Sequence, residues 1–257
     1  MKKVFSVMLA FLMIIGCMSI TSFADDVSAT VYVSISNKGQ LVAAQTKVTV
    51  ADIDGDNKLT VNDALYAAHE AAYSGGAKEG YSYYTHKDYG LSIGKLWGDT
   101  SGNFGYYINN SSCWSLADQV KSGDYLNAFV YSDSKSYSDK YCFFNEFTVT
   151  ADMNSDIELT LSSAGYDASW NPVTLPVANA EITVDGNATG TKTDANGKAT
   201  IQISGAGKHI ISAVSASETI VPPVCTAQIN GGIIESVLAA IASFFSSIIN
   251  FILSIFA

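Results

Sequence analysis

Short runs of alternating apolar and polar residues, each closed by a turn signal, recur along most of this chain. Successive side chains of a strand point to opposite faces, so this pattern dictates half-buried β-strands. "SATVYVSISNKG" sets Val31, Val33 and Ile35 on one face and mostly polar residues on the other. "TKVTV" reads as a second strand, "FGYYINN" and "DYLNAFVYSD" as two more, and "FFNEFTVTA" as the start of another. From about residue 148 the runs become short and evenly spaced: "DIELTLSS", "AEITVDG", "KATIQIS" and "HIISAVSA". "TDANGKATI" adds a tight connection at Asp194, Asn196 and Gly197. Such spacing predicts a small β-sandwich. The proline pair in "VPPVC" suits an edge or an exit, and is expected to end that sandwich.

Helical spacing is rare by comparison. In "NDALYAAHEAAYSGG", Ala64, Leu65, Ala68 and Ala72 fall on one helical face, and Gly75 and Gly76 stop the helix. "SLADQVKSGD" is expected to be a short helix followed by a glycine turn. The expected organisation is therefore an α+β unit over residues 25–147, β-rich with one main helix. An all-β sandwich follows over 148–229, then an apolar helical tail over 230–257.

Both ends of the chain carry export and membrane signals. "MKK", the apolar run "VFSVMLAFLMIIG" and "SFA" ending at Ala24 have the parts of a signal peptide spanning residues 1–24. "IIGC", ending at Cys17, is a weaker lipoprotein-type alternative. The tail "IIESVLAAIASFFSSIINFILSIFA" has no charge after Glu235 and is long enough to cross a bilayer. It also carries a polar stripe of Ser236, Ser243, Ser247, Asn250 and Ser254. Membrane association or self-association through 233–257 is expected. No lysine follows it, so the positive-inside signal of a stop-transfer anchor is missing.

Charge excludes one class of partner. The formal net charge is −10, and every basic residue is a lysine. Binding to nucleic acid needs basic patches that displace counterions, so it is not expected. Without arginine, bidentate guanidinium clamps on phosphate or carboxylate are excluded. Cys113, Cys142 and Cys225 remain once Cys17 leaves with the leader. A Cys113–Cys142 bridge and three separate thiols are both compatible with that number.

"DIDGDNKLTVND", residues 52–63, is the stretch with the clearest chemistry. A calcium loop of the EF-hand type takes oxygen ligands from alternate positions of a tight turn. Counted from Asp52, these are Asp52, Asp54, Asp56, the Lys58 carbonyl, Thr60 and Asp63. Position six, commonly glycine, is Asn57, which tolerates a positive φ. The alternative is a plain helix start, with Thr60 and Asp63 as a capping box. That alternative leaves the alternating aspartates unexplained, since they repel one another unless a cation lies between them. With a strand ahead of it, the loop resembles the single loop–helix site of dockerins. Ca²⁺ is the expected cofactor, in a structural role.

Other motifs are absent. Tyr73 stands where a zinc-protease H-E-x-x-H starting at His69 needs its second histidine. No G-x-S-x-G elbow or phosphate loop occurs, so an enzyme is not expected and a hydrolase is the weaker alternative. Aromatic residues are candidates for stacking on a ligand: Tyr83, Tyr84, Trp97, Tyr106 and Trp114. Packing into the domain's own core is the other use of such rings.

"DIDGDNKLTVNDALYAAHEA", "YGLSIGKLWG", "GNFGYYINN" and "VKSGDYLNAFVYSD" together resemble a domain of unknown function in exported proteins of gut Firmicutes. That domain is itself similar to the C-terminal domain of transcobalamin-like proteins. The resemblance covers residues 27–147. It implies a small β-rich domain on a surface protein, with a corrinoid as one candidate ligand. In the vertebrate relatives an α-helical partner domain supplies much of that ligand's site. "PVANAEITVDGNATGTKTDANGKATIQISGAGKHIISA" resembles a bacterial Ig-like module. The expectation is a non-enzymatic, calcium-stabilised surface or secreted binding protein for a glycan, a peptide or a small ligand. A corrinoid-type carrier is the alternative.

Overall fold

The computed structural model describes residues 28–232, residue 241 and residues 243–249. The expected leader at 1–24 lies outside them. So does the apolar tail at 233–257, except for a helical stretch too short to test what that tail does. Among the described residues no helix is long and apolar enough to cross a membrane.

The chain is β-rich, as its alternation dictates. Strands β1 (Ser28–Asn37) and β2 (Gln40–Ala51) form an antiparallel hairpin. Helix α1 (Val61–Ala72) and the short α2 (Gly76–Gly80) follow. Next come β3 (Ser82–His86), β4 (Gly90–Lys95), β5 (Phe104–Ile108), β6 (Ser111–Ser112) and β7 (Tyr125–Val130). The first sheet runs β2-β1-β7-β5-β6, with β1 and β7 parallel. Val31, Val33 and Ile35 are fully buried, as their alternation requires, and meet Ala64, Leu65 and Ala68 of α1 in one core. The aromatic stretch 82–95 is a separate two-stranded hairpin, β3–β4.

"SLADQVKSGD" is not helical. Its backbone groups are spent on partners elsewhere: Val61 N–H donates to Asp118 O, Asn62 N–H to Leu116 O, and Val120 N–H to Leu59 O. These bonds tie the segment to the entrance of α1, and Leu116 is fully buried there. Burying that leucine against the helix start outcompetes a local helical turn.

The second unit is a β-sandwich of two sheets. Its strands are β8 (Lys140–Phe144), β9 (Thr148–Asp152), β10 (Ile157–Tyr166), β11 (Pro172–Pro176) and β12 (Glu181–Val184). They continue with β13 (Asn187–Lys192), β14 (Lys198–Ile201), β15 (Gly207–Val214), β16 (Ile220–Val221) and β17 (Cys225–Asn230). One sheet runs β11-β10-β8-β16, with β14 also on β10; the other runs β13-β12-β15-β17-β9. A shared core of Leu159, Leu161, Ile182, Ile211, Cys225 and Ile229 lies between them.

Two expected boundaries differ. β8 lies before residue 147, yet it pairs with β10 and β16, so the chain changes sheets between β7 and β8. Pro222 and Pro223 do not close the sandwich. They separate β16, paired with β8, from β17, which lies between β15 and β9. A residue without an N–H is tolerated there because the chain is crossing between sheets. Cys113, Cys142 and Cys225 are free thiols, so no Cys113–Cys142 bridge forms.

The two units are docked through side chains. Tyr107 on β5 stacks on Tyr141 on β8, with ring centroids 3.7 Å apart and planes at 3°. Tyr125 stacks on Phe147 at 4.1 Å. Phe129, Tyr141 and Val221 form a buried cluster that spans the junction. Phe129 lies across Gly105, where a Cβ would collide with its ring, so only glycine fits at that position. The buried Gln45 side chain crosses the other side of the junction. Its Nε2 donates to Phe147 O at 2.8 Å and Val224 O at 3.3 Å, and its Oε1 accepts from Thr226 Oγ1 at 2.6 Å.

Gln45→Ala leaves Val224 O and the Thr226 hydroxyl without those partners, while Phe147 O keeps its bond from Thr226 N–H, at a cost of about 1–3 kcal/mol. In urea, followed by far-UV circular dichroism, the wild-type chain is expected to unfold in one transition. The variant is expected to unfold at lower urea, with the two units separating into distinct steps.

Candidate functional site

The carboxylate loop leaves β2 at Ala51 and enters α1 at Val61. Gly55 and Asn57 turn it with φ of +77° and +62°, so the asparagine takes the left-handed backbone expected at position six. Asp52 organises the first half. Its Oδ1 accepts from Gly55 N–H at 2.7 Å and Asp54 N–H at 3.2 Å, and its Oδ2 accepts from Asn57 N–H at 2.8 Å. Asp63, fully buried, closes the loop. Its Oδ1 accepts from Ile53 N–H at 3.0 Å, and its Oδ2 accepts from Thr60 N–H at 2.7 Å and Thr60 Oγ1 at 2.6 Å. The capping box is therefore present in full.

Carboxylate oxygens of Asp52, Asp54 and Asp63 lie within 4.8 Å of one another. Oxygens bound to one calcium at about 2.3–2.6 Å can be no more than about 5 Å apart, so this trio fits such an ion. Asp56 does not join it. Its Oδ1 accepts from Lys58 N–H at 2.9 Å and its Oδ2 lies 3.9 Å from Lys58 Nζ. The Thr60 hydroxyl is committed to the cap. Burial, and then the charges of Asp56 and Asp63, push Asp54 above the usual carboxylate range. Asp52 is held below it: burial opposes the shift, but the N–H donors of Asn57, Gly55 and Asp54 outweigh it.

The candidate aromatics divide. Trp97 packs its ring 5.1 Å from Tyr73 and 5.3 Å from His69, and its backbone N–H donates to His69 Nε2 at 3.0 Å. Tyr106 packs against the first core. Tyr83 and Tyr84 lie exposed on β3. Trp114 is different: it is 94 % exposed, on a loop pinned where Asp118 Oδ2 accepts from the N–H groups of Trp114 and Ser115 at 2.8 and 3.3 Å.

Trp114 borders a cleft of about 610 Å³ whose lining comes from both units. Tyr107 belongs to the first unit; Phe143, Tyr166 and Trp170 belong to the sandwich. Trp170 is 81 % exposed and Tyr166 58 %, with their rings 6.1 Å apart. The Trp170 loop is held by Asp167, whose carboxylate accepts from Ser169 N–H, Asn171 N–H and Asn171 Nδ2 at 2.8, 2.9 and 3.0 Å. The sequence reading omitted Trp170, Tyr166, Phe143 and Tyr107. One local signal was available: the tryptophan in "DASWNP" sits among turn-forming residues, which places it on a loop.

No family model matches the chain, and no curated protein does. The chain is similar to the crystal structure of Dscam1 isoform 4.44, N-terminal four Ig domains. Identity there is 11 % over 79 % of this chain and 44 % of that one, with a TM-score of 0.24. For the same region of isoform 6.9 the identity is 12 %, over 59 % and 37 % of the two chains, again at 0.24. The chain thus spans less than half the length of either, and fits this loose carry no argument about fold or activity.

His69 supplies a pH test of the first core. It is fully buried, its Nδ1–H donates to Leu65 O at 2.7 Å, and its Nε2 accepts from Trp97. Burial holds its pKa below the usual value, against the opposing pull of the Leu65 carbonyl. The folded chain keeps His69 neutral while the unfolded chain protonates it near pH 6.5. Stability from this group is therefore complete above about pH 6.5 and declines as pH falls from there towards the folded pKa. His209, raised by its bond to Asp185, contributes the opposite slope. In a His209→Asn background, denaturant midpoints are expected to fall between pH 7 and 5. His69→Gln is expected to lower stability by about 1–3 kcal/mol at pH 7 and to flatten that slope.

Proposed function

We propose that this chain is a non-enzymatic, calcium-stabilised binding protein of the cell surface or the secreted space. One observation carries the binding reading: two strongly exposed tryptophans, Trp114 and Trp170, border a single cleft on loops held rigid by carboxylates. Large apolar rings left in water on ordered loops mark contact surfaces, because such exposure has no folding benefit. Among the described residues the cleft lining holds no carboxylate, imidazole, thiol or amine, which favours retention of a ligand over acid–base chemistry.

Support for calcium is the crowding of Asp52, Asp54 and Asp63 at the mouth of α1. These residues would hold the ion, and the ion would supply the positive charge that Asp54 otherwise lacks. Its role would be to fix the β2–α1 junction. Export rests on the leader at 1–24, and retention at a membrane or in an assembly rests on the tail at 233–257. The Ig-like and transcobalamin-like resemblances add surface presentation to this reading.

Extracellular modules bind calcium with a Kd on the order of 0.1–1 mM, so 10 mM calcium is expected to stabilise the chain by about 1.4–2.7 kcal/mol. In scanning calorimetry this corresponds to a rise in Tm of roughly 3–10 °C, reversed by EDTA. The double change Asp52→Asn, Asp54→Asn is expected to abolish the response while leaving the Asp63 cap in place. An unchanged Tm with calcium and with EDTA removes the metal from this reading.

A further inference from the structure

We infer that the cleft between the two units is a binding site for a neutral glycan chain, with Trp114 and Trp170 as its stacking platforms. This rests on the binding-protein reading above and names the ligand class it takes.

Charge is the first reason. The chain carries 24 acidic residues, yet among the described residues none that lines this cleft is charged. A site kept neutral on so acidic a molecule does not pair with a cation, and the surrounding negative field repels an anion. An uncharged ligand is what remains.

The second reason is the way polar and aromatic groups alternate. Ser111, Ser112 and Thr174 line the cleft, and their hydroxyls make no hydrogen bond among the described residues. Asn110 accepts from Tyr141 OH at 3.0 Å through Oδ1, while its Nδ2 has no partner among them. The site therefore offers donors and acceptors next to the rings of Tyr107, Trp114, Tyr166 and Trp170. A pyranose presents the matching surface: a C–H face that stacks on a ring, and equatorial hydroxyls that exchange hydrogen bonds around its rim. A purely apolar ligand would leave those hydroxyls and that amide unsatisfied.

The third reason concerns the competing occupant, an extended peptide. Two sheet edges border the cleft, and either could in principle accept an added strand. β6 is only two residues long, and β11 begins and ends with proline, at Pro172 and Pro176. Such an edge blunts strand addition. The volume of about 610 Å³ is within the range of sites for small ligands and short oligomers.

Preorganisation completes the case. Trp170 holds a left-handed backbone at φ +62°, a conformation a tryptophan rarely adopts. Asp167 and Asp118 hold the two loops, so the rings are displayed before a ligand arrives. The backbone part of the ordering cost of binding is thereby reduced.

The test titrates the full chain calorimetrically with cellohexaose, xylohexaose and mannohexaose, and with oligogalacturonate as the acidic contrast. Binding of at least one neutral oligosaccharide and none of the acidic one is expected. Trp114→Ala and Trp170→Ala are each expected to weaken it at least about tenfold, with Tm unchanged because both side chains are exposed. Tyr84→Ala, exposed on β3 outside the cleft, is expected to leave the affinity alone. Absence of binding to all three neutral chains, or binding indifferent to both tryptophans, overturns the glycan site. If a peptide or a corrinoid then binds in its place, the glycan site falls and the binding-protein reading stands. Release of shorter sugars during titration upholds the glycan site and overturns the non-enzymatic reading.

Discussion

The stack of Tyr107 on Tyr141 sets the relation between the two units, and the cleft follows from it. Face-to-face contact at 3.7 Å joins β5 of the first sheet to β8 of the sandwich. The Tyr141 hydroxyl accepts from Asn127 Nδ2 and donates to Asn110 Oδ1, so its one polar atom is satisfied where its ring is buried. Asn110 in turn belongs to the cleft lining, as does Tyr107. One buried aromatic contact thus fixes the docking angle, and with it the distance between two sets of exposed rings. Gln45 and the Tyr125–Phe147 stack hold the opposite side of the junction, so rotation about a single contact is blocked.

At the other end of the first unit, one residue serves two purposes. Asp63 caps α1, accepts from Ile53 N–H, and places its oxygens beside those of Asp52 and Asp54. The capping box and the proposed metal site therefore share one side chain and do not exclude one another. The cap alone accounts for Thr60 and Asp63. The crowding of two further carboxylates is the part it leaves over, and a divalent cation would neutralise it.

Much of the strand content was legible because alternation is a local property. Val31, Val33 and Ile35 point one way in any extended chain, and a core on that side buries them. The entrance of α1 was legible for the same reason, since a capping box spans only four residues. Misreadings occurred where a segment's partners are distant. Leu116 is buried against the mouth of α1, which unmakes the expected helix at 115–124. β8 sits beside β7 in sequence but pairs with β10 and β16. The β3–β4 hairpin was hidden because its glycines and tyrosines show no alternation of apolar and polar residues.

Of the candidate aromatics, Trp97 and Trp114 looked alike in sequence, both lying near glycine- or serine-rich turns. Their environments are opposite: one covers His69 and Tyr73, the other stands in water at the cleft. By itself the sequence determined the β-rich class, the helix start, the acidic loop and the absence of arginine, because each depends on residues within a few positions or on composition. Only the tertiary structure decided which rings share a cleft, since that site is assembled from two units whose contacting residues are tens of positions apart. Its geometry exists only once Tyr107 meets Tyr141.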